Sequence, residues 1–361
     1  MNIAVFTVAA IVGICAATAD PKSLIDCYPE PGASEERCKQ RGCIWAEQAK
    51  GIPWCSMPAD AGYAPVKSDD QVVELKKGKK MLNLPYGDPV SPLLFAYETR
   101  ESVLYIQIGN KERYRPDLFY EFEGVKSREE LQLKYEFKEP FTFKVIRPSS
   151  GTVIWDTSIG GLVFYDQYIQ IAAKLGITQL YGFGEHVHQQ IHHDLGRYTT
   201  WPMLARDEGP NSEYNPSTAN LYGVHGFYMG MEKDGKAHGV LILNTGPQEV
   251  TVGPAPHIVY RSIAGMFEIY FFPGPTPEEV IQQYLGLIGR PALPAYWSLG
   301  FQMCKYGYKD TQELKEAVSS VREAGIPFDV AYADIDYMNR YQDFTLGAVG
   351  DVFLTLSIKN K

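Results

Sequence analysis

The chain has 361 residues, 45% of them hydrophobic and 13% aromatic, with 24 Tyr, 17 Phe and 5 Trp. That is enough apolar material for more than one buried core, and it excludes a disordered chain. The formal net charge is −9; the densest cationic run, Lys76 to Lys80, is broken by Gly78, so it makes a solvated edge or loop and not a nucleic-acid stripe.

Taken in chain order, Ile3 to Ala16 is almost wholly apolar and is followed by Ala17-Thr18-Ala19 before Asp20. The run is too short to span a bilayer, and its small-x-small ending predicts a signal peptide over residues 1–19, charged at its start only by the terminal amine. No later stretch of 18 apolar residues exists, so a mature chain in the secretory pathway, extracellular or lysosomal, with no membrane span is expected. Asn215-Pro216-Ser217 is blocked by its proline as a glycan acceptor, and no other N-x-Ser/Thr occurs.

Four of the six cysteines, Cys27, Cys38, Cys43 and Cys55, fall in one short segment. So small a segment in an oxidising compartment needs staples; four cysteines allow three pairings, and spacing does not choose among them. The rival is a zinc site, which usually shows two closely spaced C-x(2–4)-C pairs, and two are not present. Asp26-Cys27-Tyr28-Pro29, Cys38-Lys39-Gln40-Arg41-Gly42-Cys43-Ile44-Trp45 and Ile52-Pro53-Trp54-Cys55 resemble a trefoil (P-type) module that lacks the first of its usual six cysteines and has Ile44 at the fifth. Those two positions form one bridge in the family, so the resemblance implies that Cys27–Cys43 and Cys38–Cys55 remain, with Cys304 unpaired and Cys15 inside the signal.

From about Gly62 to Arg290 the chain is a succession of short alternating runs, such as Ser102 to Ile108, Phe141 to Ile146 and Met266 to Phe272. They are separated by turn sequences such as Pro148-Ser149-Ser150-Gly151 and Lys233-Asp234-Gly235. This predicts half-buried antiparallel strands in a β-sandwich. The texture then changes. Asp310 is a helix N-cap with Glu313 at N3; Leu314, Ala317, Val318, Val321 and Ala324 follow at helical spacing, and Gly325 with Pro327 ends the helix. Strand-like segments flank it at Trp297 to Met303 and Phe328 to Ile335, which predicts a β/α unit of a parallel sheet.

Carboxylates suit sugar chemistry, because they hold ring hydroxyls by charged hydrogen bonds and supply acid help at the glycosidic bond. Asp334-Ile335-Asp336-Tyr337-Met338 is placed where the second such strand ends, the end at which (β/α)8 barrels gather their sites; the plain alternative is one capping aspartate and one solvent-facing one. His186, His188, His192, His193 and Asp194 invite a metal reading, but strand spacing joins only His186 and His188, and no metal is expected. Arg206-Asp207, in a Gly- and Asn-rich stretch, has the plain reading of a surface ion pair. Cys304 is expected to be a small core residue.

Tyr181-Gly182-Phe183-Gly184-Glu185-His186, Thr200-Trp201-Pro202, Arg206-Asp207, Asn220-Leu221-Tyr222-Gly223, Ile288-Gly289-Arg290-Pro291, Tyr296 to Phe301 and Asp334 to Met338 resemble, in this order, glycoside hydrolase family 31. With the cysteine segment, the likeness is to its trefoil-bearing α-glucosidases and covers roughly residues 24–345. It implies a trefoil at 24–58, a β-sandwich at 62–290 and the first two β/α units of an incomplete (β/α)8 barrel at 291–345, before a divergent tail at 346–361. It further implies retaining removal of terminal α-linked glucose from maltose-like oligosaccharides, without a cofactor. Asp334 and Ile335 would line the glucose pocket, Tyr306 the neighbouring subsite, and Arg206 and Asp207 would reach in from a sandwich loop.

The family's nucleophile lies in a W-x-D-M-N-E-like motif on a later strand, with the acid/base beyond it. A retaining glycosidase needs both carboxylates, and neither segment occurs among these 361 residues. The expectation is therefore a truncated α-glucosidase chain, inactive by itself, with no catalytic residue present. The alternative is a non-catalytic trefoil and sandwich module that binds carbohydrate or mucin-type glycans.

Overall fold

The computed structural model describes residues 23–118, 124–188, 190–210 and 218–347. The expected signal peptide with Cys15, the blocked Asn215-Pro216-Ser217 and the tail from residue 348 on, Val352 to Leu356 included, lie outside the described residues. The chain divides into two units, Met1–Gly289 and Arg290–Lys361.

The first unit opens with the cysteine segment. Ser34 caps a short helix, Glu35–Gln40, through the Arg37 amide, and Cys38 is buried on it. Two disulfides, Cys27–Cys43 and Cys38–Cys55, tie this helix to a two-stranded ribbon in which Ile44 pairs with Ser56 and Trp45 with Cys55. Arg41 holds Glu30 through two hydrogen bonds of 2.9 and 2.8 Å and lies 3.7 Å from the centre of the Tyr28 ring. The segment is not a free-standing core: Ile25, the four half-cystines and Met57 cluster with Val163, Tyr165, Tyr168, Ala172 and Val259.

Those last five residues belong to one of two eight-stranded antiparallel sheets. Its order is Thr199–Met203, Gln248–Gly253, His257–Ser262, Tyr168–Lys174, Thr152–Asp156, Thr142–Arg147, Gln132–Glu136, with Val163–Tyr165 also paired to Tyr168–Lys174. The other runs Gln179–Gly182, Phe227–Met231, Ala237–Ile242, Phe267–Phe272, Val103–Gly109, Leu93–Arg100, Val72–Lys77, Tyr63–Asp69. The sheets face each other through aromatic pairs, Phe95 with Phe143, Trp155 with Phe271 and Phe164 with Phe267, at ring separations of 5.2, 5.6 and 5.8 Å. This is the interdigitated core of a sandwich.

The turns behave as their residues dictate. Gly151 (φ 72°) and Gly235 (φ 85°) occupy the left-handed region that closes the two hairpins at the Pro148-Ser149-Ser150-Gly151 and Lys233-Asp234-Gly235 sequences. Strand Phe267–Phe272 is buried on both faces, not one. Its outer face is covered by the helix Pro277–Ile288, whose Val280, Tyr284 and Leu287 pack on Val103, Tyr105, Phe227, Tyr270 and Phe272. A full capping box between Thr276 and Glu279 starts that helix.

One buried ionic network crosses the sandwich. Arg147 donates to both carboxylate oxygens of Glu232 at 2.7–3.0 Å and to the Ala237 carbonyl, while Nδ1 of His238 lies 3.0 Å from the same carboxylate. Burial alone would raise the Glu232 carboxyl, but hydrogen bonds from His238 and Arg147 outweigh it and hold the group below its ordinary value.

In the second unit the helix Thr311–Glu323 forms with Asp310 at its N-cap. The Glu313 carboxylate accepts from the Lys309 amide, one residue ahead of the N-cap, so the capping box is shifted. The strands are much shorter than expected. Among the described residues only Gln302–Met303 and Val330–Ala331 pair here, in parallel, and the predicted strand from Trp297 begins instead as a 3₁₀ turn, Tyr296–Leu299. Asp334–Tyr337 is likewise a 3₁₀ turn. The reason is the ladder: each segment has one described partner, and extended backbone persists only where its N–H and C=O groups are paired. Complete barrel units are therefore not formed by the described residues.

Candidate functional site

Three of the sequence segments singled out above converge beside the sandwich in the first unit. Strand Gln179–Gly182 ends in Phe183, which holds a positive φ and donates to the Phe227 carbonyl. The chain then crosses to Gly223: the Glu185 amide donates to the Gly223 carbonyl (3.1 Å), and the Gly223 amide returns a bond to the Glu185 carboxylate (2.7 Å). On the next loop the Arg206 amide donates to Leu221, and the Leu204 amide to the Asn220 side chain. Asn220 to Gly223 thus forms a bridge between the Glu185 loop and the Arg206-Asp207 loop.

Arg206 and Asp207 are both exposed, and they do not pair with each other. Arg206 faces Glu208 at 3.6 Å, whereas Asp207 accepts from the Tyr222 hydroxyl at 2.9 Å. That corrects the plain expectation of an Arg206–Asp207 ion pair: the chain bends at Asp207, with the Glu208 amide donating back to the Arg206 carbonyl, and each side chain finds a partner elsewhere. The hydrogen bond to the Asp207 carboxylate raises the Tyr222 hydroxyl above its ordinary pKa. Tyr222 was not assigned a role from sequence; its place in a short segment between two glycine-rich loops was the signal.

The histidines cluster more tightly than strand alternation allows. Residues 183–188 and 190–198 carry no strand or helix, so the pleat does not align His186 and His188 as expected. Their rings nevertheless stack at 3.9 Å, and His193, buried, joins them against Trp201, whose indole N–H donates to the Phe183 carbonyl. His192 stands apart, edge-on to Tyr181.

In the second unit the acidic segment meets the end of the parallel pair. Tyr306 follows strand Gln302–Met303 and is exposed, while Asp334, Ile335 and Asp336 follow Val330–Ala331 and are half-buried. The Asp336 carboxylate accepts from the Gly307 amide at 2.8 Å, and the Asp334 carboxylate lies 3.4 Å from the Cys304 sulfur, with the thiol donating. Asp334 adopts φ 56°, a left-handed conformation that aspartate tolerates better than most residues, and its other oxygen accepts from the Ile335 amide. Asp336 and Asp334 therefore pin the loop after the first strand to the loop after the second.

Cys304 corrects an expectation. It is exposed, not a core residue, because the strand that would bury it ends at Met303. Its hydrogen bond to the Asp334 carboxylate, ahead of the small burial effect, raises the thiol above its ordinary pKa and disfavours the reactive thiolate.

Residues 15–58 match the Trefoil (P-type) domain, and residues 291–349 match the TIM-barrel domain of the family 31 glycosyl hydrolases. Rabbit (Oryctolagus cuniculus) intestinal sucrase-isomaltase is 39% identical over 334 residues, covering 90% of this chain and 18% of the relative. The chain is related to the trefoil-bearing glycosyl hydrolases of family 31. A human probable maltase-glucoamylase 2 is 38% identical over 90% of this chain and 13% of its own length, and rat lysosomal alpha-glucosidase 32% identical over 91% and 35%. The chain thus spans about a third or less of the curated relatives it matches.

Among solved structures, the glucosidase II alpha subunit bound to alpha3-Glc2 superposes with a TM-score of 0.62 at 16% identity, over 80% of this chain and 41% of that one. A Flavobacterium johnsoniae family 31 dextranase complexed with glucose superposes with a TM-score of 0.56 at 18% identity, over 77% and 34%. At these identities the superpositions establish a shared fold.

Proposed function

We propose that the chain supplies the glucose-recognising part of a family 31 α-glucosidase: trefoil, sandwich and the first two β/α units of a (β/α)8 barrel. Arg206, Asp207, Tyr306, Asp334 and Ile335 act as substrate-binding residues for a maltose-like oligosaccharide, and the nucleophile and acid/base are not among these 361 residues. The observation that carries this reading is the acidic segment. Asp334 and Asp336 stand directly after a strand of a parallel pair, the end at which barrel enzymes assemble their sites. Arg206 and Asp207 are exposed charged groups on a loop held by the Asn220–Gly223 bridge, suited to sugar hydroxyls. The relatives named intestinal and lysosomal support a secretory route, and no helix among the described residues is long and apolar enough to cross a membrane.

Isothermal titration of the 361-residue chain with maltose, alongside a glucose-release assay, tests this. Saturable binding weakened at least tenfold by Asp334→Asn and by Asp207→Asn, without glucose release, is the expected result. Hydrolysis by the chain alone would overturn the assignment, as would binding that neither substitution changes.

One cleft favours a second, non-catalytic glycan contact. A space of about 320 Å³ between the cysteine segment and the sandwich is lined by Asp26, Pro53, Tyr198, Glu249 and Arg261 among others. An aromatic ring beside carboxylates and a guanidinium is the set that grips a sugar, including a mucin-type glycan. Glycan-array binding abolished by Tyr198→Ala but not by Asp334→Asn would separate this contact from the first.

A further inference from the structure

We propose that His186, His188 and His193 form a binding site for one divalent transition-metal cation of the zinc type, with three neutral imidazoles as ligands and solvent completing the shell. One ring nitrogen from each of the three lies within 4.8 Å of the others, and among the described residues no other trio of histidines does this. Three such nitrogens suit zinc, copper or nickel in preference to magnesium or calcium, which take oxygen ligands.

The hydrogen bonds decide which nitrogens are free to ligate. Nε2 of His186 lies 3.1 Å, and Nε2 of His193 2.8 Å, from the same acceptor, the Gly182 carbonyl. A carbonyl only accepts, so both rings carry their proton on Nε2 and both leave Nδ1 as a bare lone pair. Histidine ligands are oriented in this way, donating the second N–H to a backbone carbonyl while the other nitrogen takes the metal. The bare Nδ1 of His186 is buried with no hydrogen-bond partner, a costly state for an acceptor unless something occupies it. Nδ1 of His193 lies 3.1 Å from Nδ1 of His188. Two nitrogens bound tetrahedrally at ~2.0–2.1 Å lie about 3.3 Å apart, so this pair already has ligand spacing.

The surroundings admit an ion. A small pocket of about 70 Å³ opens against His188 and His193, lined also by Gln190, His192, Asp194, Arg197, Thr199 and Val252, and has room for a water beside those two rings. Trp201, stacked on His193 at 4.8 Å, fixes one ring from behind. The chemistry is structural. Residues 183–188 and 190–198 carry no strand or helix, and one cation would tie His186 and His188 to His193 across that irregular stretch.

The test uses the untagged full chain, stripped with a chelator and titrated with Zn²⁺ and with Co²⁺. Expected are one ion per chain, a visible Co²⁺ absorption of tetrahedral type, and a rise in Tm on adding Zn²⁺. His188→Gln should weaken binding by a hundredfold or more and abolish the absorption, while His192→Ala leaves both in place. His193→Asn should behave as His188→Gln, and its metal-free circular dichroism checks that it folds; if it does not, His188→Gln and His186→Gln carry the test. Absence of stoichiometric binding, or binding indifferent to His188→Gln and His186→Gln, would overturn the proposal and leave a His188–His193 hydrogen bond as the whole account. Neither result depends on maltose binding at Asp334 or Asp207.

Discussion

The two units of this chain are built by opposite means. In the first, two large sheets enclose a core in which Phe95, Phe143, Trp155, Phe267 and Phe271 are wholly or almost wholly buried, and a helix and a disulfide-stapled segment cover the outer faces. In the second, only Tyr308 and Leu314 form the centre of the apolar cluster among the described residues, while Leu293, Tyr296 and Phe344 stand at 95%, 90% and 106% exposure. The difference teaches where each gets its order. The first is held by long-range packing, the second by local devices: an N-cap, two short strands and backbone bonds to Asp334 and Asp336.

Core truncation probes that contrast most strongly. Phe95→Ala should cost about 3–5 kcal/mol, the range for deleting a buried ring, whereas Leu314→Ala should fall at or below the bottom of the roughly 2–5 kcal/mol range for leucine, because its small cluster can relax. Urea denaturation followed by hydrogen exchange in each unit reads both; equal losses would erase the distinction. Glu232→Ala should match Phe95→Ala, at about 3–5 kcal/mol, because it removes the fully buried partner of Arg147 and leaves that buried charge only its 3.3 Å contact with Glu129. A loss under about 1 kcal/mol would mean the network contributes little to the sandwich.

Next in size is the staple. Replacing Cys38 and Cys55 together with serine removes a bridge between residues 17 apart and should cost about 2–4 kcal/mol. Limited proteolysis should then cut near Gly51 before it cuts the sheets, while the second unit is unaffected.

Acid separates the units again. His225, His238 and His257 are each held below the ordinary histidine value, by burial first. Once unfolded they return to about 6.5. The unfolded chain then binds more protons below that pH, so the stability they contribute is full above about pH 6.5 and declines as pH falls. Glu232, also lowered, acts in the same direction further down. Each histidine adds a slope approaching about 1.4 kcal/mol per pH unit. All seven histidines precede residue 290, so the urea midpoint of the first unit should drop between pH 7.5 and 5 while that of the second stays level. The smallest effect is at Cys304: Asp334→Asn should speed thiol alkylation several-fold at pH 8, because the carboxylate that raises the thiol is gone. An unchanged rate would break the Cys304–Asp334 contact.

What the amino-acid order determined by itself is local. Asp310 and Glu313 announce a helix that starts at Thr311, Gly151 and Gly235 close their hairpins, and short runs rich in β-branched and aromatic residues mark strands such as Val103–Gly109 and Phe267–Phe272. Capping, positive φ and strand composition depend on residues a few positions apart, so they are written in short windows. Only the tertiary structure decided that Arg147 would find Glu232 across 85 residues, or that Asp207 would turn to Tyr222 and away from Arg206. It likewise shortened the strands of the second unit and left Cys304 exposed. His186, His188 and His193 meet through an irregular loop folded on Trp201, not through a strand. Such contacts form only once the sheets have closed and burial has made an unpaired polar group costly. That free energy belongs to the assembled core, and no local window contains it.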